Sequence, residues 1–179
     1  MSTRETGSGM TKRARATIAV VDDDPELRDF FKSIADLGHF QLIGSYGSAR
    51  EALQHLPEQQ PDLVLMDLFL PDMSGIECTE RLLALLPQLR IVVITGHPED
   101  STLLRGAMAG AQGFLIKPCT IEDALDAIND VFRWGGVLGK TAVPHMLRIF
   151  HKLRNLRADR EALGAAGRYP GRPASRSDG

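Results

Sequence analysis

Two acidic residues, Asp22 and Asp23, close one short apolar run of this chain, and a lone Asp67 closes another. Acids delivered together to one edge of a sheet repel one another, so such a cluster is tolerable mainly when a divalent cation sits among them. The placement therefore points to a small hard-metal site. Thr95 and Lys117 stand in the same relation to two further apolar runs, and the five residues fit one reaction, phosphoryl transfer to a carboxylate. Asp67 would attack phosphorus in line. Mg2+ or Mn2+ held by Asp23 and Asp67, with Asp22 close by or acting through water, would neutralise the developing charge. Lys117 would pair with Asp67 before transfer and with a phosphoryl oxygen after it, and the Thr95 hydroxyl would bond another of those oxygens.

The elements that must position these residues alternate regularly. Residues 18–21 form a β-branched run, after which Asp24 and Pro25 supply a cap and a first helical residue for a helix with Leu27, Phe30, Phe31, Ile34 and Leu37 on one face. A weaker strand follows at 40–44. Ser48 with Glu51 has the form of a capping box for a helix through Leu53 and Leu56 that Pro57 ends. Residues 63–66 are wholly apolar. Ser74 with Glu77 repeats the capping-box pattern before Ile76, Leu82, Leu83 and Leu86. Residues 91–94 are again apolar, a looser helix spans 100–109, and 113–116 gives a fifth strand. Thr120 caps a last helix carrying Ala124, Leu125, Ile128, Val131 and Phe132.

Continuous apolar strands alternating with amphipathic helices mean a parallel sheet covered on both faces, here an α/β doubly wound domain of five units. In such sheets ligands gather beyond the strand ends, where the strand order reverses. Each residue has a plainer reading alone: an Asp after a strand can be a helix cap, a Thr a turn residue, a Lys a surface charge. Their arrival at four strand ends of one sheet is what favours the site.

The chain has 179 residues, 43% hydrophobic and 25% charged, enough for one substantial core. Its formal net charge of −2 hides an asymmetry, because residues 17–139 sum to −11 and residues 140–179 to +6. Cys78 and Cys119 have no paired spacing, and no secretory leader is evident, so a reducing cytoplasm is the expected location. No apolar stretch is long enough to span a bilayer. The expected organisation is a flexible leader at 1–16, a globular domain at 17–134, a linker with an amphipathic helix at 135–160 and a disordered basic tail at 161–179.

The segments VVDDDPELR, DLVLMDLFLPDMSGIE, VVITGHPE and GFLIKP resemble the CheY-like receiver domain of bacterial two-component response regulators, over about residues 17–134. The resemblance implies a flavodoxin-like (βα)5 fold with strand order 2-1-3-4-5, in which a sensor histidine kinase donates a phosphoryl group to Asp67. Asp22 and Asp23 are then the acidic pair, and the main-chain carbonyl of Phe69 falls at the third metal-ligand position. Thr95 and Phe114 take the places of the switch pair, Phe114 keeping the aromatic ring without a hydroxyl. The Lys117–Pro118 bond is expected to be cis, aiming the ammonium into the site. Such a domain phosphorylates and dephosphorylates itself and is not a turnover enzyme.

The segment WGGVLGKTAVPHMLRIF is similar to the link between receiver and output in LuxR-like, helix-turn-helix regulators, whose family role is transcription control. The pattern then fails, since GAAGRYPGRPASRSDG has no apolar period. A truncated or frame-altered output domain, or a genuine basic tail, fits that stretch. No complete helix-turn-helix is visible, so sequence-specific DNA binding is not expected of residues 1–179. Residues 143–156 carry apolar positions at helical spacing between Arg148, Lys152 and Arg154, suited to packing on the receiver or on a second subunit. Dimerisation on phosphorylation would suit a two-state domain that needs a surface to read its state. The alternative is a stand-alone receiver acting through protein contacts or as a phosphorelay intermediate.

Other readings are weaker. GGVLGKT lacks the first glycine of a phosphate-binding loop, where Trp134 stands. The five histidines show no zinc-type spacing, so each reads as a surface or turn residue, and Cys119 reads as a small filler. A haloacid-dehalogenase-type phosphatase would use Asp22 as nucleophile, Asp24 as acid/base, Thr95 and Lys117. It also needs an acidic pair closing another strand, whereas Asp126 and Asp130 fall on a predicted helix.

Overall fold

A computed structural model of the chain describes residues 15–97, 99–135 and 137–138. Strands and helices alternate as β1 (Thr17–Val21), α1 (Pro25–Asp36), β2 (Gln41–Tyr46), α2 (Ala49–Gln59), β3 (Leu63–Asp67), α3 (Gly75–Leu85), β4 (Arg90–Thr95), α4 (Asp100–Met108), β5 (Gly113–Ile116), α5 (Ile121–Trp134) and β6 (Val137–Leu138). All strands pair in parallel, in the order β2-β1-β3-β4-β5-β6. The first five take the flavodoxin-like order expected from the sequence. Strand order reverses at β1, which lies between β2 and β3.

The sixth strand is a difference from expectation. Gly135, at φ 72, ends α5 in the left-handed region that suits glycine. The chain then turns back and pairs Val137 with Gly113 and Leu138 with Phe114. Two residues are too few to show a period, so this stretch read as linker. The first fourteen residues of the expected leader, the amphipathic segment at 143–156 and the tail at 161–179 lie outside the described residues. No helix among the described residues is long and apolar enough to cross a membrane.

Strand periodicity sorts the core into layers. Ile18, Val20, Leu63, Leu65, Val92 and Ile94 pack on one face with Phe31 and Ile34 of α1 and with Ala127, Ile128 and Val131 of α5. Ala19, Val21, Val64, Met66 and Ile91 pack on the other with Ala49, Ala52 and Leu56 of α2 and Cys78 and Leu82 of α3. A smaller cluster of Leu68, Val93, Leu103 and Phe114 lies under α4. Each central strand is buried on both faces, which is why the runs lack polar alternation.

The helix ends mostly follow their sequence signals. Asp24 accepts the Glu26 amide at 2.9 Å with Pro25 in the first turn, and Thr120 forms a complete capping box with Asp123. Two expected boxes are incomplete. Ser48 accepts the Glu51 amide at 3.2 Å, but the Glu51 carboxylate reaches the Gly47 amide. Ser74 accepts the Ile76 amide at 3.2 Å, while Glu77 pairs with Arg81 one turn along α3. Pro57 does not end α2, which runs on to Gln59. A proline in the last turn removes one backbone bond, and Gln60, at φ 48, closes the helix by donating its amide to the Leu56 carbonyl at 2.9 Å.

Candidate functional site

Four parallel strands end on one rim of the sheet. Asp22 and Asp23 follow β1, Asp67 is the last residue of β3, Thr95 the last of β4, and Lys117 follows β5. The structure thus brings the five sequence-predicted residues to the carboxyl ends of β1, β3, β4 and β5, beside the strand-order reversal.

Asp22 is fully buried, Asp67 is 4% exposed, and Asp23 is open to solvent. Carboxylate oxygens of the three lie within 4.8 Å of one another. The Lys117 ammonium donates to Asp22 Oδ2 at 2.7 Å and to Asp67 Oδ1 at 3.2 Å. Lys117 was expected on Asp67. It meets Asp67 as expected and also bridges to Asp22, which it approaches more closely.

Asp22 is fixed from several sides. Its Oδ1 accepts the Asp24 amide at 2.9 Å, its amide donates to the Tyr46 carbonyl at 3.0 Å, and its carbonyl accepts from Arg28 Nη1 at 2.6 Å. Burial pushes its carboxyl above the usual range, and the Lys117 ammonium and Asp24 amide pull it back only in part, with the neighbouring Asp67 charge adding to the rise. Burial alone would lower the Lys117 ammonium, but hydrogen bonding and the charges of Asp22 and Asp67 outweigh it and hold Lys117 above its ordinary value. Three clustered acids thus stand against one ammonium, which bridges two of them, and the Arg28 guanidinium on the Asp22 main chain. This excess of negative charge, with oxygen donors only and one acid open to water, fits a hard divalent cation such as Mg2+.

Around that centre, Asp67 Oδ2 accepts the Phe69 amide at 3.0 Å. The Phe69 ring is 55% exposed and lies against the His97 ring, centroids 5.1 Å apart. Thr95 is fully buried, and its hydroxyl oxygen accepts the His97 amide at 3.1 Å. The Thr95 carbonyl accepts the Lys117 amide at 2.9 Å, tying the ends of β4 and β5. The Phe114 ring is turned inward at 2% exposure, against Leu68, Val93 and Leu103, and a Cβ on Gly106 of α4 would stand 3.1 Å from it. The Lys117–Pro118 peptide bond is cis. Cys119 is half-buried behind it.

Three contributors escaped sequence reasoning. Arg28 carries the Asp22 carbonyl, from one turn into α1. Gly75, in the segment DMSGIE, admits no side chain, since a Cβ there would lie 1.9 Å from the Asp67 carbonyl oxygen. Asp72, from the same segment, reaches the N-terminus of α2 and accepts the Ala49 and Arg50 amides at 3.0 and 2.9 Å. The glycine that opens α3 and the loop acid before it were visible in the sequence, but the backbone pressing on the one and the distant amides held by the other were not.

The phosphatase alternative loses its parts here. Asp24, which it needs as acid/base, is the cap of α1, and Asp126 and Asp130 lie within α5.

The family profile described as the response regulator receiver domain matches residues 18–129. The chain is 34% identical over 116 residues to the response regulator GacA of Pseudomonas aeruginosa, an alignment covering 64% of this chain and 54% of that protein. It is 31% identical over 117 residues to the response regulator VraR of Staphylococcus aureus, covering 65% and 56% respectively. The chain spans about half the length of these curated relatives. Among solved structures it resembles a two-component response regulator of the LuxR family from Aurantimonas sp. SI85-9A1, with TM-score 0.69, 26% identity, and coverage of 75% of this chain and 97% of that one. It also resembles a CheY-like receiver domain protein from Methanospirillum hungatei JF-1, with TM-score 0.62, 28% identity, and coverage of 65% and 93%.

Proposed function

The chain belongs to the response regulator receiver domain family, and from that premise we propose that it is a Mg2+-dependent phosphorylation switch with Asp67 as acceptor and a sensor histidine kinase as donor. A carboxylate oxygen of Asp67 forms the new O–P bond, the N–P bond of the donor phosphohistidine breaks, and the electron pair leaves with the imidazole. Asp22, Asp23, Asp67 and the Phe69 carbonyl would hold Mg2+, which when bound would supply charge neutralisation for the transferring group. Lys117 exchanges its contact with Asp67 for one with a phosphoryl oxygen. The Thr95 hydroxyl, which donates to the His97 carbonyl at 3.5 Å, turns to donate to another of those oxygens, and the Phe114 ring behind it takes up the change.

The single observation that carries this reading is the three-acid cluster, two of whose members Lys117 bridges, with ligand oxygens within 4.8 Å at the rim where strand order reverses. The chain is on this reading a switch that gains and loses its own phosphoryl group, not a turnover enzyme. A role in transcription control comes from the family likeness, and with it a homodimer formed on phosphorylation. A small phosphodonor with Mg2+ tests the chemistry. Label should enter the chain, chelation of the metal should stop it, and Asp67→Asn should abolish it while Asp24→Asn leaves it. Labelling of Asp67→Asn equal to the parent chain would overturn the assignment.

A further inference from the structure

The segment between β3 and α3 carries Phe69, whose side chain does little to hold it, being 55% exposed with one ring neighbour in His97. Its backbone must be positioned by the segment itself. On the Asp67 side, the Phe69 amide donates to Asp67 Oδ2 at 3.0 Å and the Gly75 amide to the Leu68 carbonyl at 3.0 Å, with a bridge between Phe69 and Ser74. At the far side, Asp72 turns away from the acceptor. Its two oxygens accept the first two amides of α2, Ala49 at 3.0 Å and Arg50 at 2.9 Å, from more than twenty residues away in sequence.

Those two amides need outside acceptors, since the first turn of a helix has no internal ones. The side chain of Ser48, the helix's own cap, accepts the Glu51 amide and neither of these two. The helix that Asp72 grips is itself packed into the core: Ala49, Ala52 and Leu56 are fully buried in the layer shared with Met66, Leu70 and Cys78. The segment is therefore pinned to Asp67 at one end and to a fixed helix at the other, with the Phe69 carbonyl between.

We propose that Asp72 is a positioning residue for the metal site, holding the main chain of Phe69 where its carbonyl can serve as a ligand by clamping the segment to the N-terminus of α2. The inference rests on the reading of Asp67 as an acceptor beside Mg2+. Losing the clamp weakens metal binding, on the order of tenfold for a group that supports a ligand without touching the metal. Transfer at saturating Mg2+ is retained, because Asp72 touches neither Asp67 nor Lys117.

The test is Mg2+ titration calorimetry on the full chain, with thermal unfolding measured on the same samples. Asp72→Ala should bind Mg2+ about tenfold more weakly, and Asp72→Asn, which keeps one acceptor oxygen, should recover part of the loss. Ser48→Ala removes the other cap of the same helix. It should lower the melting temperature without moving the Mg2+ affinity. Unchanged affinity in folded Asp72→Ala, or an equal loss in Ser48→Ala, would reduce Asp72 to a helix cap and overturn the proposal. Where Asp72→Ala does not fold, Asp72→Asn decides by the same comparison with Ser48→Ala. A parent chain that binds no Mg2+ refutes the functional reading itself.

Discussion

Lys117 reaches across the sheet to two carboxylates at once, 2.7 Å from Asp22 and 3.2 Å from Asp67. Buried Asp22 is thereby paired, while Asp67 keeps the longer contact. Replacement by Lys117→Met should cut the rate of phosphorylation of Asp67 by about a hundredfold or more, the scale of losing one preorganised charge aimed at a transition state. Mg2+ should bind at least as tightly, since a competing positive charge is gone. The loss of stability should be smaller than the roughly 3–5 kcal/mol of a fully buried pair, because the Lys117 side chain is 24% exposed. Phosphorylation kinetics and metal titration on one preparation check the split.

Gly75 starts α3 against the end of β3, and a Cβ there would meet the Asp67 carbonyl oxygen at 1.9 Å and the Leu68 Cα at 2.8 Å. Backbone cannot give way as a flexible side chain can. Gly75→Ala should cost about 1–3 kcal/mol or more in urea unfolding, the range for overpacking. Gly96→Ala, where nothing lies within 4 Å of the added carbon, should cost far less. Equal costs would contradict the packing described.

Burial works to raise the Asp72 carboxyl, but the amides of Arg50 and Ala49, its own amide and the Arg50 charge more than offset this and hold it below its ordinary value of 3.8. A depressed acid stabilises the fold above its unfolded pKa and loses that contribution as pH falls through its folded pKa. The parent chain should therefore exceed Asp72→Asn in stability near neutrality. That margin should shrink below about pH 4 and vanish in stronger acid, read by chemical unfolding at several pH values.

Cys78 is buried between α2 and α3, and burial, the largest cause, pushes its thiol up to about 12. Cys119 is half-buried beside the cis peptide. Thiolate is the reactive form. In the native chain at mildly alkaline pH, an alkylating reagent should modify Cys119 well before Cys78, and Cys78 only after denaturant is added. Peptide mapping by mass spectrometry distinguishes the two.

The strand ends were legible because each apolar run stops at a residue that could not belong to it, as at Asp22, Asp67, Thr95 and Lys117. Period and length carried the five-unit fold for the same reason. What the sequence hid was partnership across distance. Nothing near Asp72 says that its acceptors serve Ala49, and nothing near Gly75 says that a carbonyl presses on it. Neither does the order Asp22-Asp23 say which acid is buried; the turn into α1 decides it, placing Asp22 beneath the Asp24 amide and leaving Asp23 open. Short elements were lost as well. Val137–Leu138 has no room for a period, and Pro57 signals a helix end that the last turn of α2 absorbs.

The central claim is that Asp67 carries the phosphoryl group, and borohydride reduction tests it most directly, because it converts an aspartyl phosphate to homoserine and leaves a free carboxylate untouched. After incubation with Mg2+ and a small phosphodonor, homoserine should appear at position 67 and at no other aspartate. Recovery of unmodified Asp67 throughout, or homoserine at Asp22 or Asp23 instead, would contradict the account.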